Sequence, residues 1–224
     1  NHPDSALADQ MDYYIPPIDP ETDHLTINTP EELTVIDPAC GSGHMLTYAF
    51  DLLYAIYEEQ GYAPADIPTQ ILTHNLHGTE IDPRAGALAA FALTMKARAK
   101  QRTYLTRAIQ PNIRVIEPVD VETTTDVDAA WTLATQFRDA STRGALIRPD
   151  ERAAVQLARQ MDATTPQETL LTSAIKEAHR GLLAQAEILT RRYRVVIANP
   201  PYLGTRHMGE ALRDFAAAAY PMTK

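Results

Sequence analysis

Asn199-Pro200-Pro201-Tyr202 closes the apolar run Val195-Val196-Ile197-Ala198, and its residue types make a small polar clamp. The run predicts a strand buried on both faces, with Asn199 at its carboxyl end. Pro200 and Pro201 have no N–H to donate and hold φ near −65°. They stop the ladder and fix the Asn199 carboxamide and the Tyr202 ring in a defined relative pose. The Asn199 side-chain oxygen and the Pro200 carbonyl can both accept from one NH2 group, drawing its lone pair out of conjugation toward an electrophile. Tyr202 would stack on the planar ring that carries the amine. This chemistry suits methylation of a conjugated amine. An ordinary strand followed by a Pro-Pro turn uses the same residues and is the plainer alternative.

A second constellation lies upstream. Leu33-Thr34-Val35-Ile36 predicts a short buried strand that passes through Asp37-Pro38-Ala39-Cys40-Gly41-Ser42-Gly43 into a helix over 45–57, where Leu46, Ala49, Phe50, Leu53 and Ile56 recur at helical spacing. Strand, glycine loop and helix in that order present a ligand site at the carboxyl end of a parallel strand. Gly41 and Gly43 let a ligand approach the backbone, Ser42 can donate or accept, and Asp37 offers a carboxylate to a cation such as a sulfonium amino acid. A dinucleotide fingerprint would want a third glycine where Leu46 stands, and a purely structural tight turn is the other alternative.

The elements that must position these groups follow from periodicity. After a short helix over 68–74, residues 75–81 predict a second strand. It ends at Glu80, where nucleotide-binding α/β folds grip ribose hydroxyls. The separation from Gly43 exceeds the roughly 20 residues of a compact unit, and an insertion around 61–68 accounts for it. A helix over 84–99 is apolar over most of its surface and is expected to lie buried against the sheet. Residues 112–116 predict a third strand, with Glu117 and Asp120 behind it as candidates for the adenine end of a cofactor. Residues 121–192 form too long a connection for an ordinary loop. Amphipathic helices over 150–161 and 166–192 make it a helical excursion packed on the core, and a last helix covers 210–219.

Composition sets the outer bounds. The chain has 224 residues, 45% hydrophobic and 22% charged, enough for one substantial core. Its formal net charge of −9 argues against a free-standing nucleic-acid binder, whose affinity comes largely from phosphate neutralisation. Basic residues do cluster at Lys96, Arg98, Lys100, Arg102 and Arg107, and at Arg191, Arg192 and Arg194; a solvated helix face is the expected reading of the first cluster. The single cysteine, Cys40, excludes an internal disulfide framework and a Cys-rich zinc site, and points to a reducing cytoplasm. No metal site is expected: His74 and His77 lack ligand-spaced partners and are expected at surface or loop positions. No stretch has the length of a membrane span, and no signal peptide opens the sequence.

Taken together, Asp37-Pro38-Ala39-Cys40-Gly41-Ser42-Gly43, Gly78-Thr79-Glu80-Ile81-Asp82-Pro83 and Asn199-Pro200-Pro201-Tyr202 resemble the S-adenosylmethionine-dependent DNA adenine methyltransferases. Gly43-His44-Met45-Leu46, Ala49-Phe50-Asp51-Leu52-Leu53 and Arg84-Ala85 look closest to the large methyltransferases of BREX phage-defence systems and to fused restriction-methylation enzymes. The resemblance implies an α/β fold, the class I (Rossmann-like) methyltransferase sheet, incomplete at both ends and with a helical insertion between strands 3 and 4. It implies that Asp37 and the loop Ala39, Cys40, Gly41, Ser42, Gly43 hold the methionine part of the cofactor, Glu80 the ribose and Ile81 the adenine. Asn199, Pro200, Pro201 and Tyr202 would hold a flipped adenine of double-stranded DNA, bound largely through regions outside these residues. Defence-system subunits are the implied partners and a bacterial or archaeal cytoplasm the implied location, with no membrane association.

The expected organisation is an extended lead-in (1–32), the cofactor-binding half of the core (33–120), the helical insertion (121–192) and the catalytic strand-loop with the start of the next helix (193–224). Only about four strands of the sheet are found, and the Phe-x-Thr-Pro segment usual before the glycine loop is missing from 1–32. The sequence is therefore expected to be a piece of a larger protein; the isolated piece is expected to self-associate through the apolar edge of its fourth strand or to be poorly soluble, and to be inactive alone. Two other functions share these residues: methylation of RNA or of a protein glutamine, and a non-catalytic scaffold that binds cofactor.

Overall fold

The computed structural model describes residues 5, 7, 11, 26–119, 128–163, 170–200 and 208–222. The chain divides into two compact units, Asn1–Arg114 with Arg192–Ala198, and Val115–Arg191 with Asn199–Lys224.

The first unit is built on a parallel sheet. Strand β1 (Val35–Asp37) is buried along its whole length, as its β-branched residues require. It pairs in parallel with β2 (Leu76–Glu80), Val35 opposite Leu76 and Asp37 opposite Gly78. On its other side lies β4 (Val195–Val196), and β3 (Asn112–Val115) completes the order β3-β2-β1-β4. Helix α1 (His44–Glu59) leaves the glycine loop with Leu46, Phe50, Leu53, Tyr54 and Tyr57 buried. A short α2 (Ile67–Gln70) runs into a π-helical turn at Ile71–Asn75 before β2 begins, so the second strand starts one residue later than its sequence suggests. Asn75 anchors this corner: its Nδ2 donates to the Pro30 carbonyl at 2.6 Å and the Leu33 carbonyl at 3.0 Å, and its Oδ1 accepts from the Tyr57 hydroxyl at 2.9 Å.

Helix α3 (Pro83–Lys100) corrects one expectation. It buries only the stripe Gly86, Ala89, Leu93 and Ala97, while Leu88, Phe91 and Met95 are exposed, Phe91 at 62%. Small residues on the inner stripe bring the helix close to its support, and the larger apolar side chains are left on the outer face. Apolar composition does not say which face is which. The basic cluster is largely spent on internal contacts: Lys96 pairs with Asp51, Lys100 Nζ sits 4.1 Å from the centre of the Tyr54 ring, and Arg107 lies 3.6 Å from Asp66.

Two further expectations are corrected. The clamp strand is not buried on both faces. Only Val195–Val196 join the ladder, at the end of the order β3-β2-β1-β4, and Val196 is 64% exposed. The Val195 and Ile197 amides donate to the Thr34 and Ile36 carbonyls at 3.0 and 2.9 Å, which ties the approach to Asn199 to the central strand. His77, expected at the surface, is buried within β2, with Nδ1 3.1 Å from the Asn75 carbonyl oxygen and its ring edge-on to Tyr193. His74 is exposed.

The second unit is helical. Helices α4 (Asp128–Phe137), α5 (Ala140–Arg143), α6 (Glu151–Ala163), α7 (Leu170–Thr190) and α8 (Glu210–Ala219) follow in order. Leu133 and Phe137 of α4, Leu157 of α6, and Leu182 and Ala186 of α7 share one core. Asp150 starts α6 by accepting from the Arg152 and Ala153 amides, each at 2.9 Å. The amphipathic spacing locates α6 and α7 but not α4 and α5. The buried face of α4 is mostly alanine, which carries a weak periodic signal.

Candidate cofactor site and catalytic strand

The loop after β1 turns through two left-handed glycines, Gly41 (φ 53°) and Gly43 (φ 87°). At Gly41 a Cβ would meet no heavy atom within 4 Å, so the backbone there is open to a ligand. At Gly43 the requirement is internal: a Cβ would lie 3.0 Å from both Cα and Cβ of Ala89 in α3. Gly43→Ala combines that clash with the left-handed penalty and is expected to cost about 2–4 kcal/mol of stability. A urea midpoint equal to wild type would contradict the close approach.

Glu80, at the tip of β2, is the organising side chain of this loop. Its Oε2 accepts the Gly41 amide at 2.8 Å, and its Oε1 accepts the amides of Ile81 and Asp82 at 2.8 and 3.0 Å. One carboxylate thus couples the glycine loop to the turn after β2. Ile81 presents an apolar side chain, 45% exposed, beside it. Asp82 caps α3 by accepting the Arg84 amide at 2.9 Å, with Pro83 at the first helical position.

Asp37 is nearly inaccessible and accepts the Ala39 amide at 3.1 Å. Burial raises its carboxyl above the ordinary range; the Ala39 N–H opposes this and the nearby Glu80 charge adds to it. The native state therefore holds the Asp37 proton to higher pH than the unfolded chain does. By linkage this group contributes most to stability below its unfolded value of about 3.9, and that contribution is lost as pH rises through its raised folded value. A bound cation reverses the balance by favouring the ionised form. Affinity for a cationic ligand is expected to increase with pH across the Asp37 titration. Asp37→Asn should flatten that profile in calorimetry, and an unchanged slope would exclude Asp37 as the titrating group.

Cys40 and Ser42 complete the loop differently. The Cys40 thiol belongs to the core, where burial, with Asp37 and Glu80 nearby, pushes it up to about 12; it stays protonated and inert. Its amide donates to the Thr79 carbonyl at 3.0 Å. Ser42 is half-buried.

Two residues given no role by the sequence hold the loop in place. The Thr79 hydroxyl donates to the Pro38 carbonyl at 2.7 Å. A Cβ at Gly78 would lie 2.8 Å from Ile113 Cδ1, 2.9 Å from Leu46 Cδ1 and 3.1 Å from Cys40 Sγ. A glycine inside a predicted strand is the signal that could have found the second, since it marks close approach of neighbours.

The structure thus brings Asp37, Ala39, Cys40, Gly41, Ser42, Gly43, Glu80 and Ile81 together at the carboxyl ends of β1 and β2. Asn199 and Pro200 come after β4, separated from its end by Ile197 and Ala198, and are exposed. Pro201, Tyr202 and Asp120 lie outside the described residues. Glu117 is exposed in the second unit, where its amide donates to Gln185 Oε1 at 2.9 Å. Among the described residues, no three His, Cys, Asp or Glu side chains form a group that could hold a metal ion, and no helix is long and apolar enough to cross a membrane.

Comparison with known proteins gives this arrangement a context. The adenine-specific methyltransferase BrxX of Escherichia coli O9:H4 (strain HS) is 35% identical over 270 residues, taking in 100% of this chain and 22% of the relative. The adenine-specific methyltransferase PglX of Lacticaseibacillus casei (strain Zhang) is 30% identical over 218 residues, 87% of this chain and 18% of the relative. The chain spans about a fifth of the length of these curated relatives. Residues 26–219, most of the sequence and both the glycine loop and the Asn199 strand, match the family described as MmeI, DNA-methyltransferase domain, and the chain belongs to that family.

Proposed function

We propose that this chain is the methyl-transfer core of an enzyme that modifies the exocyclic amine of adenine in double-stranded DNA, within a BREX phage-defence or restriction-modification system of the bacterial or archaeal cytoplasm. The observation that carries this reading is the Glu80 carboxylate, tied to the Gly41 amide beside the buried carboxyl of Asp37. That donor set fits S-adenosylmethionine, a cationic sulfonium amino acid with ribose hydroxyls, which when bound supplies an activated methyl group.

Asp37 would favour the cationic end, and the open backbone at Gly41 would let it approach. Ala39, Ser42 and Gly43 shape the rest of that wall, with Cys40 filling it from the core. Glu80 has acceptor capacity left for a ribose hydroxyl, and Ile81 offers an apolar face for adenine. Asn199 and Pro200 accept hydrogen bonds from the target amine, Pro201 stiffens the turn, and Tyr202 stacks on the flipped base. Catalysis then rests on positioning and on polarising the amine, with direct displacement and no covalent enzyme intermediate. DNA and defence-system subunits are the partners this reading carries.

The test is transfer of label from S-adenosylmethionine by the intact protein to separate pools of DNA, RNA and protein. Label in DNA as methylated adenine supports the proposal. Label confined to RNA or to protein glutamine replaces the substrate, and cofactor binding with no transfer to any pool leaves a scaffold.

A further inference from the structure

Helix α3 carries two apolar stripes on opposite sides, and packing within the first unit uses only one. The buried stripe is Gly86, Ala89, Leu93 and Ala97, whereas Leu88, Phe91 and Met95 are exposed. With Arg84 before them and Arg98 after, the outer positions are spaced by four, three, four and three residues. That is the 3.5-residue repeat of a seam that packs against another helix. The charges along it say what kind of helix fits. Every charged residue of α3 is basic. Lys96 and Lys100 are spent on α1, at Asp51 and at the Tyr54 ring. Arg84 lies 3.3 Å from Asp82, yet its side chain stays 90% exposed. Arg98, and Arg102 four positions beyond it, form no ion pair among the described residues.

We propose that the outer face of α3 is a docking seam for one helix of a separate protein subunit, a helix with aliphatic residues at the same 3–4 spacing and acidic residues beside them. The aliphatic side chains interlock with Leu88, Phe91 and Met95, and Phe91, central and 62% exposed, is the anchor. Acidic groups at the two ends meet Arg84 and the pair Arg98 and Arg102. Arg84 and Arg98 are fourteen positions apart, about 21 Å along a helix, so the partner segment needs about four turns. A second copy of this chain fits less well. Paired antiparallel, two such stripes bring Arg84 against Arg98, and paired parallel they bring each arginine against itself. Like charges at the ends of a seam select against both pairings. The seam lies on the far side of α3 from Ala89, which packs on Gly43 of the glycine loop. The inference therefore concerns a surface of the first unit and stands apart from the methyl-transfer reading.

The experiment uses the intact protein and two synthetic helical probes of about 18 residues, both with leucine at the 3–4 positions. One probe carries glutamate beside the leucines and the other lysine. Fluorescence anisotropy reads their binding to wild type, to Phe91→Ser and to Arg98→Gln/Arg102→Gln, and urea midpoints establish that each variant is folded. The glutamate probe is expected to bind wild type about tenfold more tightly than the lysine probe. Phe91→Ser should weaken it about tenfold or more. The arginine pair should weaken it about threefold to tenfold, an effect that shrinks as salt is raised. No binding of the glutamate probe to wild type would overturn the proposal, and so would equal binding of the two probes or binding that Phe91→Ser leaves unchanged. Vesicles of phosphatidylglycerol and sedimentation of the protein alone run alongside. Vesicle binding that depends on Phe91, with neither probe bound, replaces the helix with an anionic membrane surface. Self-association that depends on Phe91, with neither probe bound, replaces it with a second copy. A wild-type protein that methylates nothing would sink the functional reading and leave each of these outcomes as decisive.

Discussion

Replacing Asn199 with alanine is expected to reduce methyl transfer about a thousandfold while leaving S-adenosylmethionine affinity within a few fold. The argument is electrostatic: an exocyclic amine attacks poorly while its lone pair is shared with the ring, and a fixed acceptor oxygen favours the geometry in which that sharing is lost. Removing one preorganised partner of a transition-state group costs about 10²–10³ in rate, and on the proposed reading the lost partner would also orient the base. Asn199 comes three positions after the end of β4 and is exposed, whereas the groups assigned to the cofactor are carried by the loops that follow β1 and β2. Rate and cofactor affinity should therefore separate. Asn199→Asp keeps an acceptor and should retain part of the rate. Cofactor affinity that falls in step with the rate would move Asn199 into the cofactor site and end its assignment to the base.

Glu80→Ala is expected to weaken S-adenosylmethionine binding about 100-fold. Its carboxylate already accepts three amides, from Gly41, Ile81 and Asp82, out of about four lone-pair sites. One strong position is left for a hydroxyl. A hydrogen bond to a charged acceptor contributes about 1.5–3 kcal/mol, which by itself accounts for a tenfold to roughly 100-fold change. The substitution also frees the Gly41 amide and loosens the loop, and that places the expected loss at the upper end. Glu80→Gln keeps one acceptor oxygen and should fall between the two. Calorimetry on all three proteins measures this directly. An alanine variant that binds as tightly as wild type would show that Glu80 only braces the loop.

Most of the glycine-loop region was legible residue by residue. Val35, Ile36 and the helical spacing from Leu46 onward predict β1 and α1, and the structure has both. Gly41 and Gly43 are left-handed as a tight ligand loop requires. The parallel sheet with helices between its strands agrees with the α/β class that the motifs imply. The misses share a cause. The outer face of α3, the burial of His77 and the exposure of Val196 depend on what packs against them from distant parts of the chain, and a local window holds none of that. Helix α4 escaped notice because alanine stabilises a helix without marking its buried face.

Residue types and short-range spacing were enough to locate the acidic strand end and the glycine turn, because those features depend on backbone permissiveness and functional groups carried by neighbouring residues. They were also enough to say which chemistry the groups suit. Packing between segments far apart in sequence decided the rest. It set Glu80 against the Gly41 amide across 39 positions, pressed Ala89 onto Gly43, and seated α8 on Arg143 and Arg148. Such contacts form only when burial of the surrounding apolar surface offsets the entropy of ordering the chain between them, and no local pattern encodes that balance.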